Sequence, residues 1–206
     1  MKLYAIGYSG RDKEKTYEHI RELKEIGVPE PDSVPELYDL NPRLLNKERN
    51  IHVIGNETSG EVEIVLIADE NGNIDVTVGS DHTDRSLETI SIQKSKQICD
   101  KPIANETFKL EDVIDEWDDL QLSSEVYEKG EWVKYQLGKV STMISLDEIK
   151  AFLQNKEVEL RNVIVFCGTV PLLDGFKYGE AFRCSIHSNK LEKTISLEYK
   201  ITFLRE

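Results

Sequence analysis

Cysteine is scarce. The 206 residues hold three, Cys99, Cys167 and Cys184, odd in number and widely spaced. They give no zinc-type pair and no disulfide framework, so they read as reduced thiols of a cytoplasmic protein. Basic charge is also in short supply: 26 Lys and Arg stand against 39 Asp and Glu, a formal net charge of −13. With no basic surface to release counterions, nucleic acid and anionic membrane are poor partners. Long apolar runs are missing too. The longest is Val163–Cys167, against roughly 20 residues for a membrane span. The opening MKLYAIGYSG is too short and polar for a secretory signal. Internal repeats and low-complexity tracts are absent. What remains is a globular composition, 39% hydrophobic and 32% charged, in a chain long enough to bury roughly 70% of its unfolded surface.

Residues 2–8 read as a short strand and Lys13 to Ile26 as a helix, ended by Gly27 and Pro29. Residues 28–43 hold Pro29, Pro31, Pro35 and Pro42, an irregular segment suited to a boundary or lid. This divides the chain into a small strand-helix and Pro-rich segment, 1–48, as candidate lid, and a β-rich catalytic-type domain, 49–206. Ile51–Ile54, Glu61–Ala68 and Ile74–Val78 alternate as strands, with Asn71-Gly72 as a hairpin signal between the last two. In 110–120, Val113, Ile114, Trp117 and Leu120 fall at helical spacing opposite an acidic face, which reads as solvated. Ser145 and Glu148 fit a capping box ahead of a second clear helix. Residues 161–204 return to β. The expected class is α+β, a mostly antiparallel sheet or barrel with about three peripheral helices.

The most informative stretch is Gly60-Glu-Val-Glu-Ile-Val-Leu-Ile67. Glu61 and Glu63 lie two apart on a strand, so both side chains leave one face, with Val62, Ile64 and Leu66 on the other. Two adjacent carboxylates repel unless a cation sits between them, and oxygen ligands suit Mg²⁺, Mn²⁺ or Ca²⁺. After the hairpin come Asp81, His82 and Asp84. A two-residue Asn71-Gly72 loop sets Ser80 opposite Glu63 and turns Asp81 away. A longer loop or one bulge restores the face, and the expectation is that Asp81 stands directly opposite Glu63. His82 is a candidate ligand or substrate contact.

Taken in order, Glu61-Val-Glu63, Asp81 to Arg85, Lys94-Ser95 and Gly168-Thr169 resemble the motif series of the fumarylacetoacetate hydrolase superfamily, through a DUF2848-like branch. The resemblance covers about residues 50–204. It implies a metal-dependent enzyme, with Mg²⁺ (or Mn²⁺ or Ca²⁺) held by Glu61, Glu63 and Asp81, acting on a 2-oxo acid or 1,3-dicarbonyl compound. It also implies that Lys94 contacts the substrate's carboxylate or oxyanion, that Arg85 lies beside the metal, that Thr169 helps bind substrate, and that the protein is a homodimer. The N-terminal family pattern keeps its glycine here at Gly7 but lacks the Asn-Tyr and the nearby histidine. His19-Ile-Arg-Glu22 supplies an H-x-x-E further along, a catalytic His19–Glu22 dyad on one helix face. The resemblance further implies a small carboxylate substrate that passes through an enolate, with C–C bond hydrolysis of the acylpyruvate hydrolase kind as the expected outcome. Decarboxylation, tautomerisation and hydration share the same site, and a catalytically silent small-molecule-binding member of the fold is the alternative of another class.

Overall fold

In the central strands β-branched residues run almost without a polar break, which suits strands buried on both faces. The computed structural model describes residues 1–25 and 27–205, and of His19 the backbone alone. In chain order the elements are β1 (Lys2–Gly7), α1 (Lys13–Glu25), β2 (Glu36–Leu40), β3 (Leu45–Asn46), β4 (Asn50–Ile54), β5 (Thr58–Ser59), β6 (Val62–Ala68), β7 (Ile74–Ser80) and β8 (Thr83–Asp84). Then follow α2 (Arg85–Glu88), α3 (Ile92–Gln97), β9 (Lys101–Pro102), β10 (Phe108–Lys109), α4 (Leu110–Val113), β11 (Gln121–Glu128), β12 (Glu131–Lys139), α5 (Leu146–Asn155), β13 (Val163–Thr169), β14 (Ala181–Ser188) and β15 (Lys193–Leu204).

Two open sheets face each other. One has the order β10-β7-β6-β13-β1-β2, the other β12-β11-β14-β15-β4. Pairing is antiparallel except β1 with β13 and β15 with β4. The main core lies between the sheets: Val62, Ile64 and Leu66 of β6 meet side chains such as Phe182, Ile186 and Tyr199 of the second sheet. The opposite face of the six-stranded sheet carries a smaller core of Leu3, Ala5, Tyr38, Val65, Ile103 and Phe166, against which Ile92 of α3 packs. The class is thus α+β as expected, with open sheets rather than a barrel. Residues 1–48 supply two strands of the larger sheet, with β1 between β13 and β2.

α5 carries the capping box expected of Ser145 and Glu148. The 110–120 segment departs from its single-helix expectation. It is a four-residue α4 followed by a 3₁₀ stretch, Ile114–Asp119, with Glu116 outside helical geometry. The break turns Ile114 outward to 43% exposure while Val113, Trp117 and Leu120 stay buried. Its acidic residues tie strand ends together: Asp118 takes both Arg11 guanidinium nitrogens at 2.7 Å, and Glu116 accepts from the Lys190 N–H. The chain has five α-helices among the described residues rather than about three, because α2 and α4 are single turns that hydrophobic periodicity does not register. No described helix is long and apolar enough to cross a membrane.

Candidate metal centre and cleft

The β6–β7 register decides what faces what. Ala68 pairs with Ile74 and Glu63 with Gly79, and the Asp81 N–H donates to Glu61 C=O at 3.0 Å. The loop is closed by the Asp69 N–H to Asn73 C=O bond, and the Asp69 carboxylate accepts the Asn71 and Asn73 N–H groups. Asp81 therefore stands opposite Glu61, not Glu63 as expected. The shift from expectation is an even number of residues, so the side-chain face is unchanged.

Glu61, Glu63 and Asp81 each offer an oxygen within 4.8 Å of the other two. Glu63 is 3% exposed and Asp81 is fully buried. That 4.8 Å ceiling is close to the widest separation two donors of one octahedral ion can have, about 4.2 Å for Mg²⁺ and about 4.8 Å for Ca²⁺ from the usual bond lengths. The donor set could hold such an ion. Glu63 Oε2 accepts the Gly168 N–H at 2.8 Å. That contact exists because β13 breaks register between Phe166 and Thr169, with Gly168 at φ +125°. A Cβ there would lie 1.9 Å from Ser9 Oγ. Gly168→Ala is expected to destabilise the fold by about 2 kcal/mol or more, read by urea denaturation, and to weaken ion uptake by displacing the N–H from Glu63.

Asp81 is held by two ammonium groups, Lys96 Nζ at 2.5 Å and Lys101 Nζ at 3.1 Å. Lys101 also donates to the His82 and Cys99 carbonyls. Burial alone would raise the Asp81 carboxyl, but the two lysines outweigh it and hold it well below the usual carboxylate range. Glu63 goes the other way: burial, then the Asp81 charge, push it well above its ordinary value of 4.5. A carboxyl raised in the folded state gives stability that is full below its unfolded pKa and declines as pH rises through the folded one. With ions chelated, the wild type is expected to lose stability relative to Glu63→Gln as pH rises above 4.5, checked by thermal melts of both proteins across pH.

Arg85 completes the charge pattern. Its Nε donates to Ser59 Oγ at 2.7 Å and Nη1 to Glu88 at 3.0 Å. Nη2 lies 3.4 Å from Glu61 Oε1 but is buried without a hydrogen-bond partner, so its donors are unused. The guanidinium also stacks 4.6 Å over the Phe176 ring.

These groups open onto a cleft of about 790 Å³ lined by Glu61, Glu63, Arg85, Lys96, Thr169 and Phe176 among others. The remaining candidates lie as follows. Lys94 is exposed and turned away; Ser91 caps α3 and sets its phase, so Ser95 and Lys96 face inward and Lys96 is the lysine at the carboxylates. His82 is outside the cleft. It follows Asp81 on the alternate face, fully buried, with Nδ1 on Tyr199 OH and Nε2 on Thr58 Oγ1, both at 2.9 Å. Burial, with Lys101 and Arg85, holds the ring well below its usual pKa. Thr169 lines the cleft, but its hydroxyl donates to Val62 C=O and accepts from Gln136. Glu22 is exposed on α1. The His19 side chain lies outside the described residues, and with it the geometry of the dyad. Lys96, Lys101 and Gln136 carry no sequence motif of their own, and the Gly168-Thr169 motif does not single out the Gly168 N–H as a partner of Glu63; Lys96 differs from Lys94 only by helix phase.

The fold is shared with 2-keto-3-deoxyarabinonate dehydratase, whose hexagonal form superposes with a TM-score of 0.74 at 16% identity over 100% of this chain and 75% of that one. The same dehydratase complexed with magnesium and 2,5-dioxopentanoate gives 0.71 at 16%, over 100% and 74%. Fumarylacetoacetate hydrolase from psychrophilic Exiguobacterium antarcticum gives 0.64 at 12%, over 98% and 75%. None of the curated proteins compared matches the chain. The chain shares the fold of these solved enzymes, here with an acidic triad beside the cleft. The family model described as "Protein of unknown function (DUF2848)" matches residues 6–199, and the chain belongs to that family.

Proposed function

We propose that the protein is a divalent-metal-dependent enzyme acting on a small 2-oxo acid or 1,3-dicarbonyl compound through an enolate, with C–C bond hydrolysis of an acylpyruvate-like substrate as its reaction. The convergence of Glu61, Glu63 and Asp81 within 4.8 Å, beside a cleft that Glu61 and Glu63 line, carries this reading. Mg²⁺ or Mn²⁺ held by these carboxylates would supply the positive charge that stabilises an enolate. Arg85 and Lys96 line the cleft, and their positive charge would draw an anionic substrate to its carboxylate end. Lys101 keeps Asp81 ionised and fixed, so the ligand set is preorganised. Phe176 and Tyr38 give the cleft apolar walls that limit water. In the H-x-x-E of α1, His19 would move the proton or activate water, oriented by Glu22. A second reading, dehydration of a 2-oxo-3-deoxy acid, draws on the shared fold of the dehydratase complexed with magnesium and 2,5-dioxopentanoate.

The test is a thermal melt with Mn²⁺ or Mg²⁺, then with oxalate added as a planar enolate mimic. The melting temperature is expected to rise with the ion and again with oxalate; an ion at 100 times its Kd adds about 2.7 kcal/mol. No rise with either overturns the reading. A rise without turnover of acylpyruvates or 2-oxo-3-deoxy acids identifies a silent binding member of the fold.

A further inference from the structure

Most hydroxyls lining the cleft are already engaged. Thr16 donates to Asp12 C=O, Tyr38 to Glu36, Thr142 to Lys139 C=O and Thr169 to Val62 C=O. Tyr8 differs. Its ring is partly buried in the cleft wall, yet among the described residues its hydroxyl has no hydrogen-bond partner. The charged groups acting on it are Glu88, Lys96, Glu36 and Glu61, so it faces the charged end of the cleft.

Its backbone sits at φ +55°, a region that bulky residues rarely occupy. The neighbours enforce it. Gly7 pairs with Glu36, the Ser9 C=O accepts the Ile144 N–H at 2.8 Å, and Gly10 bridges Met143. A left-handed tyrosine held on both sides, with its hydroxyl idle in a cleft, is a conformation maintained against its own cost.

We propose that Tyr8 is a substrate-binding residue whose hydroxyl donates a hydrogen bond to an oxygen of a planar anionic ligand, an enolate or dicarboxylate, seated over Glu61, Glu63 and Asp81. This rests on the metal-site reading above. Burial, followed by the nearby Glu88 charge, pushes the phenol up to about 12, so it keeps its proton and serves as a donor.

Tyr8→Phe keeps the ring and the backbone and removes one oxygen. Calorimetry titrates Mn²⁺ into wild type and Tyr8→Phe, then oxalate into each Mn²⁺-loaded protein. Mn²⁺ affinity is expected to agree within about twofold, and oxalate to bind about tenfold or more weakly to Tyr8→Phe. Equal oxalate affinity overturns the Tyr8 assignment and leaves the metal site standing. Loss of Mn²⁺ uptake confined to Tyr8→Phe also overturns it, because the hydroxyl would then act on the ion's ligands rather than on the anion. No oxalate uptake by the Mn²⁺-loaded wild type removes the ligand class and Tyr8's role together. No Mn²⁺ uptake by wild type removes the metal reading itself.

Discussion

Replacing Glu63 by Gln is expected to leave the ion-free protein folded, and at neutral pH at least as stable as wild type, while its affinity for Mn²⁺ and Mg²⁺ falls by more than about 100-fold. Even outer-shell partners of metal ligands are worth roughly 10–100-fold in affinity, and Glu63 would supply a charged donor directly. The stability half of the expectation has a different origin. Glu63 is buried beside a second buried carboxylate, so its negative charge is disfavoured in the ion-free state. The amide oxygen of Gln can still accept the Gly168 N–H that holds Glu63 Oε2 at 2.8 Å. Calorimetric titration and melts in chelator read the two halves separately. Retained ion affinity, or a marked loss of stability in chelator, contradicts the site.

Asp81→Asn reverses the sign. Here the variant is expected to lose about 3–5 kcal/mol of stability with no ion present, the cost of leaving a buried charge without its partner. Lys101 is fully buried, and its ammonium keeps only the His82 and Cys99 carbonyls once the carboxylate is gone. Urea denaturation of the ion-free proteins measures the difference. Adding Lys101→Met to Asp81→Asn is expected to return part of the loss, since removal of both charges avoids the unpaired ammonium. Two carboxylates of one cluster thus act oppositely on the ion-free fold: Glu63 is a strain that an ion would relieve, and Asp81 is already held by Lys96 and Lys101 before any ion binds. An Asp81→Asn protein as stable as wild type contradicts this division.

The glutamate pair is legible in the sequence because a period of two leaves little choice about the face. The partner strand is harder. Asn71-Gly72 marks a hairpin, but the turn is organised by the Asp69 carboxylate, which accepts two backbone N–H groups and closes a longer loop. Face is a parity and survives that change; the opposing residue is a count and does not. The lysine fails for a related reason. Lys94 and Lys96 are equivalent in composition, and only the phase set by the Ser91 cap distinguishes them. His82 is a ligand type beside a candidate ligand, yet alternation sends it to the inter-sheet core and Tyr199. The hydrogen bonds of Gln136, to Ser124, Val62, Thr169 and Val170, join parts of the chain that no local pattern relates.

The place of β13 in the larger sheet has a consequence for biosynthesis. It lies between β6 and β1, elements made well before it, for it occupies residues 163–169. Until that late segment leaves the ribosome, the first strand has no neighbour joining it to the glutamate hairpin, and Glu63 lacks the Gly168 N–H. Such distant pairings form slowly, because chain closure must precede the contacts that reward it. A chain interrupted before residue 163 therefore displays the acidic hairpin without the Gly168 N–H that Glu63 accepts in the folded protein.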